Sequence, residues 1–404
     1  MIEESSLKKV LILGGSRLQV PAIEAAQRLG FSVLCADRDP DAVGFGVADA
    51  CSLTSTLDAA AIERLALEEG ASYVITSTSD APVRVAALVS ENLGLPTGIS
   101  YANAVCATQK DSMRLRFAEC GIPMPDFRIC STVEEFESAL GHFGYDCIAK
   151  PADSAASRGV RLINAADRRA RADLLFKEFA SFSRKGVVMV EERVRGFEVS
   201  VESMTLGGAT TVVSVTDKLT TEPPYFVELG HSEPSRLPVE AQKRICQVAK
   251  KVVEAIGIVD GPAHTEIMLT EDGPKVIEMA ARLGGDFISS RLVPLSTGVD
   301  IVEGSVAVAL GLEYDFEPKF SRGSAIRFIT ADRKGVIKKI AIPEGIEDAE
   351  GVEEVRLYLS VGDSIDAPHS SGDRIGHVIC SGEDALQAAF RAEWVMSNIE
   401  VDLG

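Results

Sequence analysis

Over residues 8–100, short apolar runs alternate with helical patterns, and that alternation restricts this part of the chain to a parallel sheet with right-handed crossovers. "KKVLILGG", "SVLCAD" and "SYVITS" have the near-continuous apolar character of strands covered on both faces. "VPAIEAAQRLG", "LDAAAIERLALEEG" and "DAPVRVAALVSENLG" repeat apolar residues at helical spacing, with Pro21 early in the first helix and Gly30 as its stop. The first strand runs into Gly14-Gly15-Ser16-Arg17, and Asp37 closes the second. A glycine turn and a strand-end acid belong to a dinucleotide site, but that site needs GxGxxG and this turn has no third glycine. The strand-end loops, Gly14, Gly15 and Ser16 included, are instead expected to border a crevice that a small molecule can enter.

The pattern changes near residue 105. "QKDSMRLRFAECGIPMPDF" predicts a helix ended by Gly121, and "TVEEFESALGHFG" predicts another. The strand "YDCIAK" ends at Lys150, and the small-residue loop "PADSAASRG" leads into "VRLI". A helix over 166–180 and the strand "GVVMVEE" follow. Strands dominate 196–280, around the helix "VEAQKRICQVAKKVVEAIG". Helices return over 287–310, and 320–404 read as a β-rich tail with one closing helix near 383–397.

Charge and cysteine usage exclude several classes. A net charge of −19 opposes a nucleic-acid surface, which needs clustered Lys and Arg. The eight cysteines form no CxxC pair and no zinc-type spacing, as expected of reduced thiols in a cytosol. "MIEESSLKK" lacks the apolar core of a secretory signal, and no apolar run approaches bilayer length. The expected setting is therefore cytoplasmic, without nucleic-acid or membrane partners.

The most informative stretch is "HTEIMLTEDGPKVIEMAARLGGD", 264–286. A three-residue turn "EDG", with Gly273 left-handed, would pair two strands. His264, Glu266 and Met268 would share one face of the first strand, and Val276, Glu278 and Ala280 the same face of the next. Glu266 and Glu278 would then oppose each other with Cβ atoms roughly 4.5–5.5 Å apart. Two carboxylates this close repel unless a proton or cation lies between them, and hard oxygen ligands suit Mg²⁺ with substrate phosphates. Arg282 adds a forked donor for phosphate or carboxylate, and "LGGD" before a helix leaves N–H groups of Gly284 and Gly285 for an anion. The same residues read equally as a solvated acidic hairpin with a surface arginine. Lys150 is a candidate phosphate contact or a surface lysine before a turn. "VEERVRGFEVS" offers backbone to an adenine edge and Glu198 to a ribose, or forms an acidic edge strand.

In order and spacing, these residues resemble the ATP-grasp superfamily along nearly the whole chain: Lys110 in "QKDSMR", Lys150, "VEERVRGFEVS", and Glu266/Glu278 followed by Arg282. The resemblance implies that Lys110 and Lys150 contact ATP phosphates and that 151–159, with Ser154, Ser157 and Gly159, is a lid. It implies that Glu191, Glu192 and Val194 border the adenine, chiefly through backbone, and that Glu198 holds the ribose. Glu266 and Glu278 would carry Mg²⁺, for which Mn²⁺ can substitute. "EMAARLGGDFIS" lacks the "QVEH" of biotin carboxylases and the "PRPH" of purine-pathway carboxylate enzymes. Its Arg-then-Gly-Gly pattern is similar to the L-amino acid ligase branch, as are residues 221–238 and the tail "RGSAIRFITADRKGVIKKI…SGDRIGHVICSG". By that resemblance His231 and Arg282 sit near the transferred phosphate, with Tyr225, Gly284 and Gly285 on the substrate side. Many members carry Asn two residues after the second metal Glu. Here that position is Ala280, which removes one candidate ligand.

The implied fold is a multidomain α/β and α+β chain of ATP-grasp type. It has an N-terminal Rossmann-like parallel-sheet domain (1–104), a small ATP-binding lid subdomain (105–195), a central catalytic subdomain (196–315) and a β-rich C-terminal domain (316–404). The implied activity is ATP-dependent joining of a carboxylate, expected from an amino acid, to an amine through an acyl phosphate, releasing ADP and phosphate. The partners would be small-molecule carboxylates and amines, with a homodimer as the family-level expectation. Three rivals stand beside it: an ATP-grasp carboxylase or formyltransferase-type enzyme of purine or bicarbonate metabolism, a dinucleotide-dependent oxidoreductase, and a non-catalytic binding protein that keeps the fold.

Overall fold

The computed structural model describes residues 7–154 and 157–404. Ala155 and Ala156 of the expected lid therefore lie outside the described residues. The chain opens with β1 (Lys9–Leu13), α1 (Val20–Arg28), β2 (Ser32–Asp37), β3 (Ala50–Leu53), α2 (Ala59–Glu69), β4 (Ala71–Ile75) and α3 (Asp80–Leu93). The strands form one parallel sheet in the order β3-β2-β1-β4. Strand β3 was not expected, because "ACSL" is short and half exposed and carries no apolar alternation. The Asp58 side chain caps α2 by accepting from the Ala61 N–H, and Gly70 at φ +65° ends it in a conformation that glycine adopts freely.

Helices α4 (Tyr101–Thr108) and α5 (Lys110–Glu119) lead into a small antiparallel sheet. Its strands are β5 (Phe127–Cys130), β6 (Cys147–Pro151), β7 (Arg161–Ile163) and β8 (Val188–Glu192), in the order β5-β8-β6-β7. Two helices, α6 (Val133–His142) and α7 (Ala172–Ala180), cover it through Phe136, Leu140 and Phe179. The helix expected over 166–180 is broken. A 3₁₀ turn, Ala165–Arg169, precedes α7, because Asn164 and Asp167 cap the turn reciprocally and Ala170 is extended.

A long hairpin of β9 (Phe197–Leu206) and β10 (Ala209–Thr220) follows, then β11 (Glu228–Glu233), α8 (Val239–Ile256), β12 (Gly261–Thr270) and β13 (Gly273–Ala280). After a π-helical turn at Ile288–Leu292 come α9 (Val293–Thr297) and α10 (Ile301–Ala309). The last quarter contains β14 (Gly323–Ile329), β15 (Gly335–Ala341), β16 (Val352–Leu357), β17 (Ser364–Ile365), β18 (Gly376–Gly382), α11 (Ala385–Asn398) and β19 (Glu400–Leu403). An eight-stranded sheet, β13-β12-β9-β10-β11-β14-β18-β16, runs unbroken across residue 316, while β17-β15-β19 form a small sheet of their own. Helix α8 buries Ile245, Ala249, Val252, Val253 and Ile256 against one face of the large sheet. Its other face opens toward the N-terminal strand ends. One apolar cluster joins Val10, Ile12 and Ile23 to Leu292, Val302, Ile326 and Phe328, so the N-terminal domain is held firmly against the large sheet. Among the described residues no single helix is long and apolar enough to cross a membrane.

Candidate active site

A cleft of about 730 Å³ lies between the N-terminal strand ends, the small sheet and the open face of the large sheet. The β12–β13 hairpin supplies its acidic floor. Glu266 stands opposite Glu278, and His264 opposite Ala280. The turn that achieves this is not the expected one. Thr270 pairs with Gly273, so the turn has two residues, Glu271 and Asp272, and Gly273 begins β13 at φ +120°. Two-residue closure alone would set the carboxylates out of register. An irregularity beyond Glu266 inserts Ile277 as an extra residue and restores the pairing. The bulge also corrects the expected faces. Val276 is buried in the core beneath α8, whereas Ile277, Glu278 and Ala280 line the cleft. Arg114 of α5 stabilises the bulge by donating to the carbonyls of Val276 (3.1 Å) and Ile277 (2.7 Å).

The carboxylates are neutralised by lysines. Lys110 Nζ donates to Glu278 (2.7 Å) and to the Ser154 carbonyl (2.7 Å). Lys218 Nζ lies 2.8 Å from Glu198, 3.0 Å from Glu266 and 3.6 Å from Glu228. Burial opposes charge on Glu266, but Lys218 and His264 outweigh it and hold this carboxyl well below the usual range. Glu198 moves the other way, raised by burial and by the neighbouring Glu266 charge despite Lys218. His264 is buried against Glu202, directly across the ladder. Burial disfavours its cation, yet the Glu202 carboxylate raises it to about 9.

The remaining expected residues are distributed unevenly. Lys150 Nζ contacts Glu191 at 2.8 Å, and Arg114 grips the same carboxylate through two nitrogens. Burial notwithstanding, these two cations lower Glu191 to about 2, so its side chain is an internal ion pair, and its backbone is paired between β5 and β6. Glu192 is bound by Lys275 at 3.0 Å, and Val194 lines the cleft. Ser157 reaches Glu228 at 3.4 Å. Gly159, at φ +75°, packs against Phe182 rather than lining the cleft. The Gly284 N–H is not available to an anion, because it donates to Glu202 at 2.9 Å; Gly285 does line the cleft. Tyr225 stacks edge-on to His369 at 4.5 Å, and its neighbour Phe226 is the aromatic residue at the cleft. His231 Nε2 faces Asp286 at 3.5 Å, and Asp286 is clamped by Arg374 at 2.7 and 2.8 Å.

Arg282 faces the cleft, but its fork is engaged. Nε and Nη2 bind Asp80 at 2.8 and 3.1 Å, across the domain boundary. Asp80, Arg114, Glu202, Lys218, Asp286 and Arg374 were not anticipated as site residues. An acid in the first turn of a helix reads as a helix-dipole partner, and a strand lysine reads as exposed until its neighbours are known.

The dinucleotide geometry is filled from within. The Gly15 N–H donates to Asp37 at 2.8 Å, and Asp37 also accepts from the Asp39 N–H at 3.0 Å. Buried Gln19 occupies the crevice between the β1 and β4 loops, bonding Ser79 at 2.9 Å and the Ser77 N–H at 3.1 Å.

Known proteins resemble the chain as follows. An ATP-grasp domain model matches residues 143–290, and a model described as L-amino acid ligase C-terminal domain 2 matches residues 327–404. The chain is 26% identical to an L-arginine-specific L-amino acid ligase of Bacillus subtilis, over 74% of this chain and 72% of that one. It is also 26% identical to a formate-dependent phosphoribosylglycinamide formyltransferase of Corynebacterium jeikeium, over 98% of this chain and 94% of that one. A crystal structure of an L-amino acid ligase from Bacillus licheniformis superposes with a TM-score of 0.83 at 22% identity, covering 98% of this chain and 99% of the other. That likeness speaks to the fold.

Proposed function

We infer that this chain, an ATP-grasp carboxylate–amine ligase carrying an L-amino acid ligase C-terminal domain, activates the carboxylate of an amino acid as an acyl phosphate and joins it to an amine. The observation that carries this reading is the pair Glu266/Glu278, opposed on the cleft face, with Lys110, Lys150 and Arg282 around it. Such a pair fits Mg²⁺, which takes one or two carboxylates and leaves its other positions to phosphates and water. Glu266 and Glu278 would hold Mg²⁺, or Mn²⁺ in its place, which would supply charge neutralisation to the nucleotide phosphates.

In the proposed reaction a substrate carboxylate oxygen attacks the γ-phosphorus, the bond to the bridging oxygen breaks, and ADP leaves. This chemistry needs positioning and charge neutralisation rather than a protein nucleophile. Lys110 and Lys150 meet the nucleotide phosphates, and Arg282 meets the phosphoryl group in flight. The backbone of Glu191 and Glu192, with Val194, borders the adenine, and Glu198 takes the ribose. Residues 151–159 exclude water, which would otherwise hydrolyse the acyl phosphate. An amine then attacks the acyl carbon and phosphate departs. His231, held toward Asp286, is the candidate to receive the amine proton. The unpaired cysteines suit a reducing cytosol.

The formyltransferase-like relative supports a second reading, in which the same ATP half serves formate or bicarbonate. Measuring ADP release against a panel of amino acids, formate, bicarbonate and ribonucleotides separates the two. Glu278→Ala should abolish substrate-dependent ADP release while the circular dichroism spectrum is kept. Full activity in that variant would remove the metal assignment.

A further inference from the structure

Two guanidinium groups on the N-terminal rim of the cleft have no role in the ATP half. Arg38 follows β2, and Arg84 lies in α3, four residues beyond Asp80 and so on the same helix face. Both line the cleft, beside the hydroxyls of Ser55, Thr56 and Ser79. Among the described residues neither forms a hydrogen bond or an ion pair. The nearest acids in sequence are committed elsewhere, Asp37 to the Gly15 and Asp39 amides and Asp80 to Arg282. This rim is thus locally cationic in a chain of net charge −19, whose overall field repels anions.

Arg38 follows β2 and Arg84 lies in α3, which follows β4; both strands flank β1, so the two guanidinium groups belong to one rim of the same sheet. Each fork is shaped for a carboxylate or phosphate. A carboxylate under activation must lie against the Glu266/Glu278 floor. Arg84 lies one helical turn from Asp80, the partner of Arg282, on the N-terminal side of the same cleft. We infer that the amine donor is a dianion, an amine bearing two carboxylates or a phosphate, held by Arg38 and Arg84. The inference rests on the ligase reading and narrows its acceptor. The cationic rim also favours loss of the ammonium proton, leaving the neutral, nucleophilic amine.

The test uses the full chain with Mg-ATP, a panel of amino-acid carboxylates, and five amine donors: L-glutamate, L-aspartate, O-phosphoethanolamine, L-alanine and L-alaninamide. Phosphate release with a dianionic donor should show kcat/KM at least tenfold above L-alanine, and the best donor tells dicarboxylate from phosphate. Arg84→Ala and Arg38→Ala should erase that advantage through KM for the amine, with KM for ATP unchanged and partial recovery in Arg84→Lys. Equal use of L-alaninamide and the dianions, or variants that lose nothing, would overturn the inference. Calorimetric titration of L-glutamate and O-phosphoethanolamine into protein with Mg²⁺ and a non-hydrolysable ATP analogue separates the two levels. If no carboxylate supports phosphate release, the ligase reading fails. Dianion binding that Arg84→Ala abolishes then still supports the anion subsite, and absence of binding removes it.

Discussion

Glu233 is fully buried, and the hydroxyls of Thr216 and Ser296 donate to its carboxylate. Burial raises its pKa to about 7 against that stabilisation, whereas an unfolded glutamate titrates near ~4.3. Between those values the folded chain holds a proton that the unfolded chain has lost. The stabilising contribution is therefore complete in acid and fades as pH rises through about 7. Glu233→Gln removes this linkage, since either hydroxyl can reverse to suit an amide. The variant should gain on the parent between pH 5 and 8 by up to about 3 kcal/mol, read from urea midpoints. Parallel stability–pH curves would show that Glu233 is ionised throughout. None of this is visible in "GHSEPSRLP", because a strand-end glutamate before proline looks exposed until the residues packed on it are known.

The hairpin at the floor of the cleft shows how an element depends on distant side chains. The expected pairing of Glu266 with Glu278 is present, but it comes from a two-residue turn and a bulge rather than from the three-residue turn read in the sequence. The bulge was not legible, because the groups it frees are satisfied by Arg114, more than 160 positions earlier. Arg114 also joins Glu191 and is 1% exposed, so it ties α5, β8 and β13 together. Arg114→Met leaves a buried carboxylate facing Lys150 alone and two carbonyls without a donor. Loss of one partner from a buried pair costs about 3–5 kcal/mol, which the urea midpoint should report. A loss under about 1 kcal/mol would mean that water replaces the guanidinium. The same logic separates Gly284 from Gly285. Backbone amides after a strand look free in a sequence, and only the position of Glu202 shows that one is taken.

At the scale of the whole molecule, the cleft is a joint between the N-terminal sheet and the large sheet, and Asp80–Arg282 crosses it. Despite burial of both groups, each favours the other's charge, lowering Asp80 and raising Arg282. Asp80 thereby fixes the orientation of Arg282, the cation proposed for the transferred phosphoryl group. Asp80→Asn should lower kcat up to about 100-fold, the scale of a misplaced catalytic group, with KM for ATP nearly unchanged. A fall in ATP affinity with kcat preserved would show instead that the pair merely holds the domains together.

Strand and helix alternation, the opposed acidic pair and the absence of a third turn glycine are short-range properties. Periodicity and steric rules act over a few residues, so the sequence alone was enough to reach the parallel N-terminal sheet and the paired strands of the acidic hairpin. Which charges neutralise which could not be reached that way. Lys218 among three carboxylates, Arg282 on Asp80 and Arg374 on Asp286 join residues far apart in the chain. Ion pairing depends on distance and burial, and both exist only once the sheets have packed.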